Sequence, residues 1–134
     1  MPNPRPIPTV TPELKPFFEA AQRHELAVQR CKQCGTYRFP PRAICSQCLS
    51  HEAEWARVCG EGEIFSFNVM HQVYDPAFAS QVPYAVVVVK LKEGAKMISN
   101  VVGVAPHQVR IGMPVRVVFE QLSDEVTLPM FAVR

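Results

Sequence analysis

From Ile64 to Met70 the chain alternates, with Phe65, Phe67 and Val69 set against Ser66 and Asn68. That period of two predicts a strand with one face turned inward. Tyr84 to Lys92 reads as a second strand, apolar on both faces through Val86 to Val89. Glu93-Gly94 then turns the chain, and Lys96 to Val104 returns as a third strand. Asp75-Pro76 and Pro83 break residues 71–83 into a loop. Residues 105–112 form a connector with room for one helical turn, and Pro114–Glu120 and Leu128–Val133 supply two more strands. Upstream the period changes. Phe17, Ala20, Ala21 and His24 recur at helical spacing and predict a helix over 16–24, with Pro16 at its first position. Leu26 to Arg30 reads as a short strand.

Five strands with a break between the third and fourth match the small Greek-key barrel of the OB-fold. A β-sandwich is the competing architecture, but five strands are few for two sheets. Gly103, read as lying inside the third strand, would supply the bend of a closed barrel. The fold class is thus mainly β: an N-terminal helix, a four-cysteine ribbon and a five-stranded barrel. The predicted division is a proline-rich arm and short helix over 1–25, a metal ribbon over 26–56, and an OB-fold domain over 57–134. The arm contains Pro2, Pro4, Pro6, Pro8, Pro12 and Pro16, too many for a helix, so an extended course is expected.

Cysteine spacing brings in the chemistry. Cys31-Lys32-Gln33-Cys34-Gly35 is followed, ten residues on, by Cys45-Ser46-Gln47-Cys48. Two such pairs on a short hairpin place four thiolates around one metal, and four protein ligands leave no open position for water or substrate. The pattern therefore predicts a structural metal rather than metal catalysis. Gly35 fits the turn after the first pair, whereas Leu49 occupies the equivalent position after the second. Arg30, Lys32, Arg38 and Arg42 flank the pairs and would offset the charge of a thiolate site. A redox dithiol, a disulfide framework and four unrelated buried thiols are the alternatives. The dithiol requires a βαβ context that is absent from the pattern. Zinc is the expected ion, and iron takes the same four-sulfur geometry. The fifth cysteine, Cys59, is expected to face the interior as a small apolar residue.

Charge narrows the function. Fourteen basic and twelve acidic residues leave a net charge of +2, far from the basic footprint of a nucleic-acid binder. The longest apolar run, Ala85 to Val89, is strand-sized and predicts no membrane span. Prolines stand where a secretory leader needs an apolar stretch, and reduced cysteines fit a cytoplasmic location.

The run Cys31-x-x-Cys34-Gly35, Phe39-Pro40-Pro41-Arg42, Cys45-x-x-Cys48 resembles the rubredoxin-like zinc ribbon of an OB-fold family once known only as a domain of unknown function. Lys15-Pro16-Phe17-Phe18 is similar to that family's first helix, and Gly60-Glu61-Gly62-Glu63-Ile64-Phe65-Ser66 to its entry into the barrel. Pro83-Tyr84-Ala85 to Val89 with Glu93-Gly94 resembles its central hairpin. Ile111-Gly112-Met113-Pro114-Val115 and Leu128-Pro129-Met130-Phe131 resemble its last two strands. Two departures stand in the second knuckle: Ser46 replaces a common proline, and Ser50-His51 a glycine-containing exit. The resemblance implies a small partner subunit of a thiolase-like enzyme, a thiolase or retro-aldolase acting on acyl-CoA thioesters, in a hetero-oligomer. Other family members join hydratases of the hot-dog fold. The implied role is non-catalytic, supporting stability and acyl-CoA handling, with zinc as cofactor.

The residues agree with a non-catalytic role, because His24, His51, His71 and His107 sit in no nucleophile–base motif. The loop opened by His71, with Tyr74 and Asp75, is the candidate substrate-adjacent segment. Arg38, Arg42, Lys90 and Lys96 are candidates for gripping the phosphates of CoA by charge. Phe17 and Phe18 are adjacent, so one is expected to face outward for docking. A nucleic-acid-binding module built on Phe65, Phe67 and Tyr84 is the alternative, and a free-standing acyl-CoA carrier ranks third because a small filled barrel has little room for an acyl chain.

Overall fold

The structure is a computed structural model that describes residues 6–134. Pro2 and Pro4 of the arm lie outside the described residues. Residues 6–10 have no regular secondary structure and are exposed. Helix α1 spans Lys15–Gln22 with Pro16 in its first turn, where the missing N–H costs nothing. His24 closes it at φ +60°, the left-handed position usually taken by glycine. The His24 ring stacks on Phe119 with centroids 5.1 Å apart, which holds the strained residue in place.

Strands β1 (Leu26–Cys31), β2 (Tyr37–Arg38) and β3 (Ala53–Val58) form an antiparallel sheet in the order β2-β1-β3. β3 is paired with β1 along its whole length, from Leu26↔Val58 to Cys31↔Ala53. The remaining strands are β4 (Glu61–Met70), β5 (Tyr84–Leu91), β6 (Lys96–Val102), β7 (Pro114–Gln121) and β8 (Thr127–Val133). They close into a barrel in the order β4-β5-β6-β8-β7, with β7 returning to β4 through Glu61↔Arg116 to Glu63↔Pro114. The β6–β8 pair is parallel and every other pair is antiparallel. This is the five-stranded closed barrel expected from the pattern, and full closure leaves no sheet edge open.

A single apolar core joins the two sheets. Phe17 and Phe18 of α1 and Leu26 and Val28 of β1 belong to the same buried cluster as Ile64, Val87, Val89, Leu91, Val115 and Phe131 of the barrel. The ribbon sheet is therefore anchored at its base by hydrophobic contact. Phe17 and Phe18 are each only 6% exposed, so neither faces outward. Their rings meet edge to face, 5.3 Å apart, and Phe17 also packs on Phe39 at 4.8 Å.

Three further expectations are corrected. The β4 register shifts between Ile64 and Ser66. Ile64 is buried, but Phe65 and Phe67 are 46% and 36% exposed and Ser66 and Asn68 are exposed too, so past Ile64 neither face of the strand turns inward. Gly103 lies just past β6 at φ +76° with no neighbour that an added Cβ would touch; it makes a turn, not a bend inside the strand. Cys59 is exposed, because it sits in the junction between β3 and β4, where its N–H donates to Glu93 Oε2 at 2.9 Å.

Candidate metal centre and neighbouring sites

Each Cys-x-x-Cys pair folds into a tight loop whose backbone closes on its first cysteine. In the first, Gly35 N–H donates to Cys31 O at 3.0 Å and Cys31 N–H to Thr36 O at 2.9 Å. In the second, Leu49 N–H donates to Cys45 O at 2.9 Å and Cys45 N–H to Ser50 O at 2.9 Å. The two loops have the same hydrogen-bond pattern, and both need a left-handed residue after the second cysteine. Gly35 takes φ +78° and Leu49 takes φ +65°. For a non-glycine residue that conformation costs roughly 1–2 kcal/mol. Neither Leu49 nor Ser46 disturbs the loop's closure.

The loops bring all four sulfurs together, within 4.8 Å of one another. Cys31 Sγ is 3.5 Å from Cys48 Sγ, and Cys34 Sγ is 3.6 Å from Cys45 Sγ. A zinc–sulfur bond of about 2.3 Å in tetrahedral geometry requires sulfur–sulfur edges of about 3.8 Å. The donor set fits such an ion. These separations exceed a disulfide bond of about 2.05 Å by more than an ångström, which rules out a disulfide between them in this state. Cys31 and Cys45 are buried, whereas Cys34 is exposed, so one corner of the cluster faces solvent.

Backbone donors tune the thiols. Cys34 N–H points at Cys31 Sγ (3.5 Å), and Gln47 N–H at Cys45 Sγ (3.4 Å). The Cys34 N–H is the main reason that the Cys31 thiol falls to about 6, against an opposing effect of burial. Cys34 is lowered chiefly by the Thr36 side chain, whose Oγ1 lies 3.1 Å from its sulfur. Ser50 N–H pulls Cys48 down, but burial and the three neighbouring cysteines outweigh it and push that thiol up to about 12. A bound cation would favour the thiolate at every corner.

The flanking cations serve the ribbon's backbone. Arg30 Nε donates to Gly35 O at 3.3 Å, and its guanidinium lies 5.2 Å from the Tyr37 ring centroid. Arg38 Nε donates to Gln29 Oε1 at 3.0 Å and its Nη2 to Arg42 O at 2.8 Å.

The 71–83 loop is exposed at His71 and at Tyr74, the latter 72%. Asp75 caps a short 3-10 turn at Pro76–Phe78, its Oδ1 accepting from Ala77 N–H at 2.8 Å. His51 precedes β3, and His107 lies in a second 3-10 turn, Pro106–Gln108. Phe65, a candidate stacking ring of the nucleic-acid alternative, is exposed, with Lys96 Nζ 3.9 Å from its ring centroid. The pairing with Lys96 is long-range and has no signal in the local pattern. Among the described residues no helix is long and apolar enough to cross a membrane.

Comparison with known proteins agrees with this architecture. A family model described as the rubredoxin-like zinc ribbon domain of ChsH2 matches residues 18–54, and one described as the ChsH2 C-terminal OB-fold domain matches residues 55–120. A probable enoyl-CoA hydratase alpha subunit of Thermomonospora curvata is 39% identical over 127 residues. The alignment takes in 95% of this chain but 39% of that protein, so the chain spans well under half of that relative's length. A DUF35 domain-containing scaffold protein of Methanocaldococcus jannaschii is 36% identical over 105 residues, 78% of this chain and 74% of that one. Among solved structures, a chain of the Ltp2-ChsH2(DUF35) aldolase superposes with a TM-score of 0.83 at 37% identity, over 95% of this chain and 98% of that one.

Proposed function

This chain belongs to the DUF35 family of ChsH2-like proteins, a zinc ribbon followed by an OB-fold, and from that premise we propose that it is a non-catalytic subunit of an acyl-CoA enzyme complex. Its partner in this reading is a thiolase-like subunit, a thiolase or retro-aldolase, that makes or breaks a carbon–carbon bond in a CoA thioester. The observation that carries the reading is the likeness, over 95% of this chain and 98% of the other, to a chain of an Ltp2-ChsH2 aldolase. The enoyl-CoA hydratase name of the Thermomonospora relative supports the substrate class and keeps a hydratase partner open. The scaffold name of the Methanocaldococcus relative supports the non-catalytic role.

In this proposal Cys31, Cys34, Cys45 and Cys48 hold one structural zinc ion. Bound there, zinc would cross-link the two loops; four sulfur ligands give it no open position for substrate. The chain's own residues build the seat, through the Gly35 and Leu49 turns and the N–H groups aimed at sulfur. His71, Tyr74 and Asp75 remain the proposed substrate-adjacent segment, since they lie on an exposed loop beyond the end of β4.

The test is turnover of acyl-CoA thioesters by the isolated chain and by the assembled complex. The proposal requires an inactive chain and an active complex; turnover by the purified chain alone contradicts it. One observation favours a nucleic-acid module instead: Phe65 is exposed beside Lys96, the kind of platform on which bases stack. Salt-sensitive binding of single-stranded RNA or DNA would support that reading, and no binding at low salt would dismiss it.

A further inference from the structure

We propose that the seam between the ribbon loop and the β5–β6 turn is an oxyanion site, in which Arg42 and Lys96 grip a phosphate or carboxylate group. Residues of both sheets line a cleft there, Tyr37, Arg38 and Arg42 from the ribbon side and Gly94, Ala95 and Lys96 from the barrel side. Its volume of about 320 Å³ is at the lower end of small-molecule sites.

Charge sets this cleft apart. None of its lining residues is acidic. Four other clefts on the molecule each carry at least one glutamate: Glu61 and Glu63, Glu120, Glu13, and Glu54; Arg42 also lines the one that holds Glu13. Among the described residues Arg38, Arg42 and Lys96 take part in no ion pair, although Lys15, Arg23, Arg57 and Arg134 each do. Arg38 Nη1 is buried without a hydrogen-bond partner. Arg38 therefore carries its charge with no carboxylate in ion-pair contact.

The loop that presents Arg42 is held in one shape. Gln29 Oε1 accepts from both Arg38 Nε (3.0 Å) and Arg42 N–H (2.9 Å), and Arg38 Nη2 donates to Arg42 O at 2.8 Å. Pro40 and Pro41 lie between them, each with φ fixed by its ring. Gln29 and Arg38 are thus positioning residues, and the exposed Arg42 side chain projects from a fixed backbone. Opposite, Lys96 Nζ lies 3.9 Å from the centroid of the Phe65 ring, which is outside the cleft lining. A guanidinium fork matches the geometry of phosphate and carboxylate alike, and such charge-assisted bonds are about twice as strong as neutral ones. Cys45 also lines the cleft, so the competing explanation is that these cations neutralise a metal–thiolate cluster.

The experiment is titration of the zinc-loaded full chain with inorganic pyrophosphate, and separately with glutarate, at low ionic strength, followed by amide chemical shifts. Arg42→Gln, Lys96→Gln and the distant control Lys15→Gln are compared, with zinc content measured in each. The site predicts saturable binding with shifts at residues 36–42 and 94–96, weakened at least about fivefold by Arg42→Gln and by Lys96→Gln, with zinc retained and the control unchanged. Preference for pyrophosphate would assign the group to a phosphorylated ligand, and preference for glutarate to an acidic side chain of another protein. No binding of either anion, or equal weakening in the control, overturns the proposal. So does zinc loss in the Arg42 and Lys96 variants, since it would assign the cations to the metal centre.

Discussion

Leu49 and Cys34 show how much of the ribbon depends on single residues. Leu49 occupies a left-handed position that its counterpart Gly35 takes without strain, and the second loop closes as tightly as the first. In the proposed assignment a bound metal would supply what the short polar segment lacks, since so small a ribbon has little core of its own beyond the strand base. Replacing Cys34 by Ser removes one ligand of four. The expected result is loss of zinc and of ordered structure across residues 31–48 with the barrel intact, read by metal analysis and amide spectra. Unchanged zinc content would mean that the four-thiolate assignment is wrong. Acid provides a second test. The Cys31 thiol is depressed to about 6 in the folded chain, and a depressed group contributes its stability above its ordinary value and loses it as pH falls through the shifted one. A bound cation lowers the thiols further. Zinc should therefore stay bound at neutral pH and be released on acidification, as protons displace it from the thiolates, which a chromogenic chelator would report. Release already at neutral pH would contradict that sign.

Among the elements, closure of the barrel rests on the approach of β4 to β5 at Gly62. A Cβ there would lie 2.5 Å from Lys90 O and 2.9 Å from Val89 Cγ1, and a backbone carbonyl cannot swing aside as a side chain can. Gly62→Ala should destabilise the domain by about 1–3 kcal/mol, seen as a lower urea midpoint; an unchanged midpoint would show that the strands can part at no cost. A continuous apolar run and the Glu93-Gly94 turn made β5 and β6 legible in the sequence, and proline and turn residues marked β7 and β8. β3 was not legible. Ala53-Glu54-Trp55-Ala56-Arg57-Val58 has little strand propensity of its own, and six paired residues on β1 impose its conformation. Past Ile64 the alternation of β4 does not translate into an inward face, because Phe65, Ser66, Phe67 and Asn68 are all exposed. Cys31, Cys34, Cys45 and Cys48 were legible as a set, since ligand spacing is local chemistry and needs no tertiary information. The cleft holding Arg42 and Lys96 was visible only as charges, because the seam that joins them is long-range.

For the whole molecule, the ribbon and barrel share one core through Phe17, Phe18, Leu26 and Val28, while the arm contributes little to it. Ile7 and Val10 are 51% and 38% exposed, which leaves apolar groups free for a neighbour, and a proline-rich segment loses less entropy on docking than a flexible tail. Leu14 packs on the core and marks where the folded body starts. Deleting residues 1–11 should therefore weaken complex assembly while leaving the melting temperature and zinc content of the subunit nearly unchanged; equal loss of all three would assign the arm to the fold. The central claim is that this zinc-binding chain works as the partner of an acyl-CoA enzyme. Its most direct test is affinity capture of the tagged chain from its own cell, with mass spectrometry of the proteins it brings down and metal analysis of the same sample. The account predicts a thiolase-like subunit with about one zinc per chain. A zinc-loaded monomer without an enzyme partner, or one carrying nucleic acid, would contradict it.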